Sequence, residues 1–187
     1  MPVLSGASGA EIAEKLAPIL DMEHIALESR RFPDGEAYVR VPSESIESVR
    51  TEEVVLVSNT FPDSGIMQTL LLLGAIRDIR KGDLSSLKGE WEGDTDDVGP
   101  GIFLAIPYYG YARQDKRFSM GESVSAKLVA EVVSEYCDGI AILDLHAPEV
   151  LEGMAVPIQF VSSMPEIAES LQNGVSPDFI LSPDKGA

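Results

Sequence analysis

Three cations stand close together on one short stretch of an otherwise acidic chain. The stretch is PYYGYARQDKR, residues 107–117, and its cations are Arg113, Lys116 and Arg117. The 187-residue chain has 14 Lys plus Arg against 31 Asp plus Glu, a formal net charge of −17. An Arg guanidinium matches phosphate oxygens in pairs, and the Gln114 amide can contact a base or a phosphate. The stretch is therefore a candidate phosphate site, with pairing to surface carboxylates as the alternative.

Two further polar clusters directly follow apolar runs. DLHAPE follows IAIL and places Asp144 and His146 two positions apart, so on an extended strand end both point to one side. SPDKGA follows FIL and supplies Asp184. Carboxylates and an imidazole around an open site suit Mg²⁺, which keeps several waters and bridges to substrate phosphates. A tight zinc site would need further His or Cys ligands, and a structural role for the histidine is the alternative.

A fourth segment, RRFPDGEAYVR, places Phe32 before a Pro–Asp–Gly turn, with Glu36 following. A plain type I or II turn between two strands is one interpretation. The functional interpretation is a projecting loop that stacks Phe32 on a base. Asp34 and Glu36 would then accept hydrogen bonds from an exocyclic amine.

The elements that must position these clusters alternate between strand-like and helix-like patterns. EVVLVSN and IFLAIP are continuous apolar runs, as in strands covered on both faces, and amphipathic segments separate the runs. This alternation predicts an α/β fold with a mainly parallel sheet and helices on both faces. Ligands of such sheets gather beyond the carboxyl ends of the strands, so the three clusters that follow strands should share one edge.

Local details of the helices are also predictable. Asp63 or Ser64 can cap a helix that Arg77, Arg80, Lys81 and Gly82 should end. In ESVSAKLVAEVVSEY we expect the inward side chains to be Val124, Leu128, Val132 and Val133. The polar, acidic stretch 82–100 is predicted to be a surface insertion, with Trp91 packing it down rather than binding ligand.

Composition narrows the functional classes. A charge of −17 disfavours nucleic acid as a partner, because the mean field repels polyanions. It suits adaptation to high salt, where self-repulsion is screened, or simply a well-solvated surface. One cysteine, Cys137, excludes an intrachain disulfide and fits a reducing cytoplasm. We find no signal-peptide pattern and no apolar run long enough for a membrane helix.

Taken in order, these segments resemble the N-terminal part of the ribose-phosphate pyrophosphokinase (phosphoribosyl pyrophosphate synthetase) family. The matching segments cover nearly all of the chain apart from about 82–100, and they are FPDGEAYVRV, YYGYARQDKR, SVSAKLVAEVV, ILDLHAPEVLEGMAVPIQ and ILSPDKGA. The resemblance implies a phosphoribosyltransferase-like domain over 1–187, the N-terminal domain of a two-domain family. It implies transfer of diphosphate from Mg·ATP to the 1-hydroxyl of ribose 5-phosphate.

The resemblance also implies roles for individual residues. The adenine-recognition loop would contain Phe32, Asp34, Gly35 and Glu36, typically reaching into a neighbouring subunit's site. Arg113 and Gln114 would contact ATP. The metal-site residues would be His146 and Asp184, with Asp144 beside them, and the cofactor Mg²⁺. Family members assemble as homo-oligomers built from dimers, often hexamers.

One departure from the family limits what is expected of this chain. The family's pentose-phosphate loop and flexible basic catalytic loop have no counterpart in these 187 residues. We expect either a shortened gene product or a longer parent protein, and little or no synthetase activity from the 187 residues alone. The competing interpretations are a non-catalytic paralogue that regulates the synthetase oligomer, and another α/β nucleotide-binding protein with the same edge geometry.

Overall fold

A computed structural model describes residues 1–82, 99–174, 179 and 181 of the protein. The strands are β1 Val3–Ser5, β2 His24–Ala26, β3 Glu28–Arg31, β4 Ala37–Arg40, β5 Val54–Val57, β6 Ile102–Ile106, β7 Gly139–Leu143 and β8 Ile158–Val161. The helices are α1 Ala10–Ile19, α2 Ile46–Thr51, α3 Asp63–Arg80, α4 Ser125–Ser134 and α5 Met164–Gly174, with short 3₁₀ helices at Ser43–Ser45 and Pro148–Leu151.

The expected parallel sheet is confirmed. Six strands pair in the order β2-β1-β5-β6-β7-β8, and every pairing is parallel. The strands β3 and β4 form a separate antiparallel hairpin. Because β1 lies inside the sheet, the chain runs outward from it in both directions, and the crossover helices fall on opposite faces.

Helices cover both faces, although not to the same extent. On one face the strand residues Leu4, Leu56, Leu104 and Ile142 pack with residues of α3 and α4 in the main core. On the other face a smaller cluster joins Val3 and Val57 to Ala13 and Ala17 of α1. The predicted architecture, a parallel sheet between helices, is thus the observed one.

The predicted inward face of α4 is partly wrong. Val133 is buried as expected, but Leu128 is 52% exposed and Val132 is 38% exposed. The helix instead buries Ala126, Val129, Ala130 and Val133. Alanine allows the helix backbone to lie close to the sheet, and the rotation that brings both alanines inward turns Leu128 and Val132 outward. Helix α1 follows the same rule, with Ala13 and Ala17 buried and Ile12 exposed.

The start of α3 also differs from the prediction, whereas its end agrees. Pro62 is the N-cap residue and no side chain caps the helix, so neither Asp63 nor Ser64 does so. Asp63 instead accepts a hydrogen bond from the Tyr111 hydroxyl at 2.6 Å. At the other end Arg77 and Arg80 lie in the last turn, and Gly82 follows with φ +76°.

Other expectations have mixed outcomes. Cys137 is buried and free. The proposed insertion at 82–100, with Trp91, lies almost wholly outside the described residues. No helix in the described part of the chain is long and apolar enough to cross a membrane.

Truncation of the buried β7 side chain should test the main core. Ile142→Ala should lower the free energy of unfolding by about 2–5 kcal/mol, because Ile142 is fully buried and its loss leaves a cavity. Leu128→Ala, at an exposed helix position, should change it by less than about 0.5 kcal/mol. Urea unfolding followed by circular dichroism measures both, and equal losses would contradict this assignment of the core.

Candidate functional site

A cavity of about 600 Å³ opens where β6 and β7 end. Arg113, Asp144 and His146 line it together, beside Phe61 and the tyrosines Tyr108, Tyr109 and Tyr111. Two of the three predicted polar clusters therefore meet at one edge of the sheet. The third cluster, with Asp184, lies outside the described residues.

Asn59, just beyond β5, joins three loops at this edge. Its side-chain amide donates to the Ser8 carbonyl at 2.7 Å, and its side-chain oxygen accepts from the Tyr108 backbone N–H at 2.9 Å. Its own backbone N–H donates to the Ser8 hydroxyl at 3.2 Å. Each bond satisfies a polar group that a strand end leaves unpaired, so this one residue fixes the relative positions of the loops after β1, β5 and β6.

The loop after β6 is fixed at several points before it reaches Arg113. The Gly110 N–H donates to the Thr60 hydroxyl at 2.8 Å, and a Cβ at Gly110 would clash with the Thr60 carbonyl. The buried Tyr109 hydroxyl donates to the Ala126 carbonyl at 2.6 Å, and burial raises its pKa. Tyr111 has φ +64°, and its bond to Asp63 raises its pKa. These contacts hold the backbone leading to Arg113.

Arg113 itself is exposed and makes no hydrogen bond or ion pair within the described part of the chain. The alternative expectation, that Arg113 pairs with a surface carboxylate, is therefore not met by any described residue. Arg117 does bind its own loop, since its Nε donates to the Glu122 carbonyl at 2.9 Å. Of these two arginines, only Arg113 lines the cavity, and no described residue occupies its donors.

Asp144 has a different environment from the one expected of a free metal ligand. Its φ of +46° is unusual for a non-glycine residue. One carboxylate oxygen accepts the Ser163 backbone N–H at 3.0 Å, and the other accepts the Ser163 hydroxyl in a short hydrogen bond. These two bonds from Ser163 lower the pKa of Asp144. The carboxylate thus connects the end of β7 to the start of α5 while it also faces the cavity.

The other predicted ligands are placed less directly. Gln114 is half-buried, does not line the cavity, and donates from its amide to the Lys116 carbonyl at 3.3 Å. His146 lines the cavity and is exposed. No group of three or more His, Cys, Asp or Glu side chains able to hold a metal occurs among the residues that the structure describes. Magnesium needs fewer protein ligands than this, because it keeps waters and uses phosphate oxygens.

The predicted adenine loop is the tip of the β3–β4 hairpin, and it does not line the cavity. The Gly35 N–H donates to the Phe32 carbonyl at 2.9 Å, and the Glu36 N–H donates to Asp34 at 3.1 Å. Gly35 takes φ +95°, which explains the glycine. The guanidinium of Arg30 stacks 4.7 Å from the Phe32 ring centre, which holds the exposed ring on one side.

Sequence reasoning missed four residues that shape this site: Asn59, Thr60, Asp63 and Ser163. Asn59 and Thr60 could have been found, because they follow the apolar run VVLV in the same way that the recognised clusters follow theirs. Asp63 was interpreted as a helix cap. No local pattern distinguishes Ser163, since its partner Asp144 is 19 positions away.

The family model for the N-terminal domain of ribose phosphate pyrophosphokinase matches residues 1–81 and 100–136 of the sequence. These ranges cover more than half of the chain. The chain belongs to this family. The acidic stretch lies between the two matched ranges, and its role as an insertion stays a prediction.

Individual relatives agree with the family assignment. A ribose-phosphate pyrophosphokinase from Saccharolobus solfataricus is 32% identical over 190 residues, which cover all of this chain and 58% of that protein. One from Methanothermobacter thermautotrophicus is 34% identical over 187 residues, covering 99% of this chain and 58% of that protein. The chain thus spans somewhat more than half the length of these relatives.

A solved structure supports the fold. The crystal structure of phosphoribosylpyrophosphate synthetase from Mycobacterium smegmatis superposes with a TM-score of 0.72 at 23% identity, over 92% of this chain and 52% of that one. The predicted α/β fold class, including its likeness to this family, is confirmed.

The Asp144–Ser163 contact makes a prediction about acid stability. A carboxyl group whose pKa is lowered by folding stabilises the protein above its unfolded pKa of about 3.9, and this contribution is lost as the pH falls through the lowered value. Asp144→Asn should therefore lower the melting temperature at pH 7 and reduce its fall below about pH 4. Melting curves from pH 7 to pH 3 measure this.

Asp115→Asn is the matched control, because no hydrogen bond to the Asp115 side chain is found within the described ranges. It should keep the wild-type dependence on pH. An Asp144→Asn profile parallel to that of the wild type would contradict the assigned role of the Ser163 contact.

Proposed function

We propose that this chain is the ATP-binding part of a ribose-phosphate diphosphokinase. The reaction is transfer of diphosphate from Mg·ATP to the 1-hydroxyl of ribose 5-phosphate, which gives phosphoribosyl pyrophosphate and AMP. The observation that carries the proposal is the cavity that Arg113, unpaired among the described residues, lines together with His146 and Asp144 at the carboxyl edge of the sheet. The relatives' names supply the reaction class.

Electrostatics support a polyphosphate at Arg113. The whole chain has a formal charge of −17, so a triphosphate approaching it meets net repulsion. A guanidinium with free donors offsets that repulsion locally and can bind phosphate oxygens in pairs. Diphosphoryl transfer asks mainly for alignment and charge neutralisation, since the protein has little covalent chemistry to perform. A cation held by fixed backbone contacts meets this need.

A divalent metal fits the donors of the same cavity. His146 and Asp144 would face a Mg²⁺ ion together with the phosphates, and Asp184 would join them from outside the described residues. The ion would neutralise phosphate charge when bound. Asp144 also holds Ser163, so His146 is the side chain with the freer donor atoms.

The hairpin would recognise the base. Phe32 is exposed and held by Arg30, so it offers a rigid ring on which adenine can stack. Asp34, Gly35 and Glu36 form its turn and carry acceptors for the exocyclic amine. Because this hairpin does not line the cavity of its own chain, it would act in the site of a neighbouring subunit of a homo-oligomer. The pentose-phosphate loop would lie in the remaining length that the relatives have.

Removal of the free guanidinium tests the phosphate site. Arg113→Ala should weaken Mg·ATP binding by at least about tenfold, since a hydrogen bond to a charged group contributes about 1.5–3 kcal/mol. Isothermal titration calorimetry of the 187-residue chain with Mg·ATP measures this. Arg117→Ala, on the same loop but bonded to Glu122, should have a much smaller effect. Equal effects of the two variants would refute the assignment.

A second experiment tests base recognition. Phe32→Ala should reduce ATP affinity by roughly tenfold, because base–aromatic stacking is worth about 1–3 kcal/mol, and should erase the preference for ATP over GTP. Phe118→Ala removes an exposed ring outside the hairpin, 64% exposed against 39% for Phe32, and serves as the control. An unchanged preference in Phe32→Ala would exclude the hairpin as the adenine site.

A further inference from the structure

The cavity at the carboxyl edge has an aromatic wall that the phosphate site does not use. Phe61 and Tyr108 both line this cavity, and their ring centres lie 5.4 Å apart with an angle of 70° between the ring planes. This is an edge-to-face arrangement, in which each ring supports the other. We call Phe61 and Tyr108 the aromatic pair. The proposed contacts of Arg113 and His146 with phosphate and metal give these two rings no role.

Hydrogen bonds between the two loops fix the position of the aromatic pair. The Tyr108 N–H donates to the side-chain oxygen of Asn59 at 2.9 Å, and the Thr60 N–H donates to the Tyr108 carbonyl at 3.2 Å. Beside them, the Gly110 N–H donates to the Thr60 hydroxyl at 2.8 Å. All of these bonds lie within the loops after β5 and β6. They therefore hold the backbones of both rings whatever a longer parent protein adds elsewhere.

The order of the strands gives the cavity a direction. The strands β5, β6 and β7 are neighbours in that order. Phe61 follows β5, Tyr108 and Arg113 follow β6, and the cavity-lining Asp144 and His146 follow β7. The cavity thus changes from aromatic on the β5 side to polar on the β7 side. A ligand with an aromatic part and an anionic part fits this polarity with its ring toward β5 and its phosphates toward β7.

We propose that the aromatic pair is the surface on which the base of the bound nucleotide stacks. The proposal rests on the proposed function, because it takes Mg·ATP as the ligand, and it adds where the base lies on this chain. A cavity of about 600 Å³ falls within the range of about 300–1,000 Å³ that is usual for sites enclosing a whole small ligand. Rings held by fixed backbones need little ordering when the base arrives, so little of the stacking energy is lost.

The aromatic pair and the hairpin tip should then contribute differently to binding. Stacking tolerates any base, because every base has a π-face, so the aromatic pair strengthens binding of ATP and GTP alike. The hairpin carries the acceptors of Asp34 and Glu36, so it supplies the preference for adenine. Loss of the aromatic pair should lower both affinities and keep their ratio, whereas Phe32→Ala should change the ratio.

Two kinds of probe separate the base from the phosphates in isothermal titration calorimetry of the 187-residue chain. Inorganic tripolyphosphate with Mg²⁺ reports the phosphate site alone, and Mg·ATP and Mg·GTP report this site together with the base. Phe61→Leu and Tyr108→Leu keep an apolar side chain but remove the flat ring. Each should weaken binding of both nucleotides by roughly five- to tenfold and leave tripolyphosphate binding within about twofold.

Phe118→Leu is the matched control, because Phe118 is 64% exposed against 59% for Phe61 but does not line the cavity. It should bind all three probes as the wild type does. Two results would overturn the inference: unchanged nucleotide affinity in both Phe61→Leu and Tyr108→Leu, or equal weakening of nucleotide and tripolyphosphate, which indicates a disturbed site instead of lost stacking. A wild-type chain that binds neither tripolyphosphate nor nucleotide would refute the proposed function itself, and this inference with it.

Discussion

The parallel register of β5, β6 and β7 is the constraint on which the site depends. Val57, Ala105 and Ala141 lie side by side, and the three strands end at Val57, Ile106 and Leu143, at most two residues further on. The loops therefore leave the sheet at one level, within reach of one another. Asn59 then fixes the relative positions of these loops, because its side chain forms hydrogen bonds to both neighbouring loops.

Fixed loops keep an exposed arginine available to a ligand in an acidic protein. In a chain with 31 acidic residues, a mobile arginine could find a carboxylate to pair with. The backbone leading to Arg113 is instead held by contacts of Thr60, Tyr109 and Tyr111, and Arg113 lines the cavity. Preorganisation of this kind lowers the cost of binding, because the protein need not reorder the loop when a ligand arrives.

The sequence predicts the architecture well because the apolar pattern of each strand is local. It also places Arg113, Asp144 and His146 at one edge, since that follows from the chain order and the parallel connection. It predicts the faces of α4 poorly, because alanine gives a weak hydrophobic signal although it permits the closest packing on the sheet. A side chain that could cap α3, Asp63, bonds instead to Tyr111, which is 48 residues away. Contacts of this range depend on the assembled fold and leave no local pattern.

The carboxylate of Asp144, which accepts two hydrogen bonds from Ser163, couples the cavity to the chain beyond β8. A cation that bound the Asp144 carboxylate would compete for its oxygens with the N–H and hydroxyl of Ser163. Occupancy of the cavity and the direction in which the chain leaves β8 would then be thermodynamically linked, and the linkage must act equally in both directions. A contact that fixes the orientation of α5 would change the cavity's affinity for a cation by some factor. Binding of the cation would change the equilibrium between orientations of α5 by the same factor.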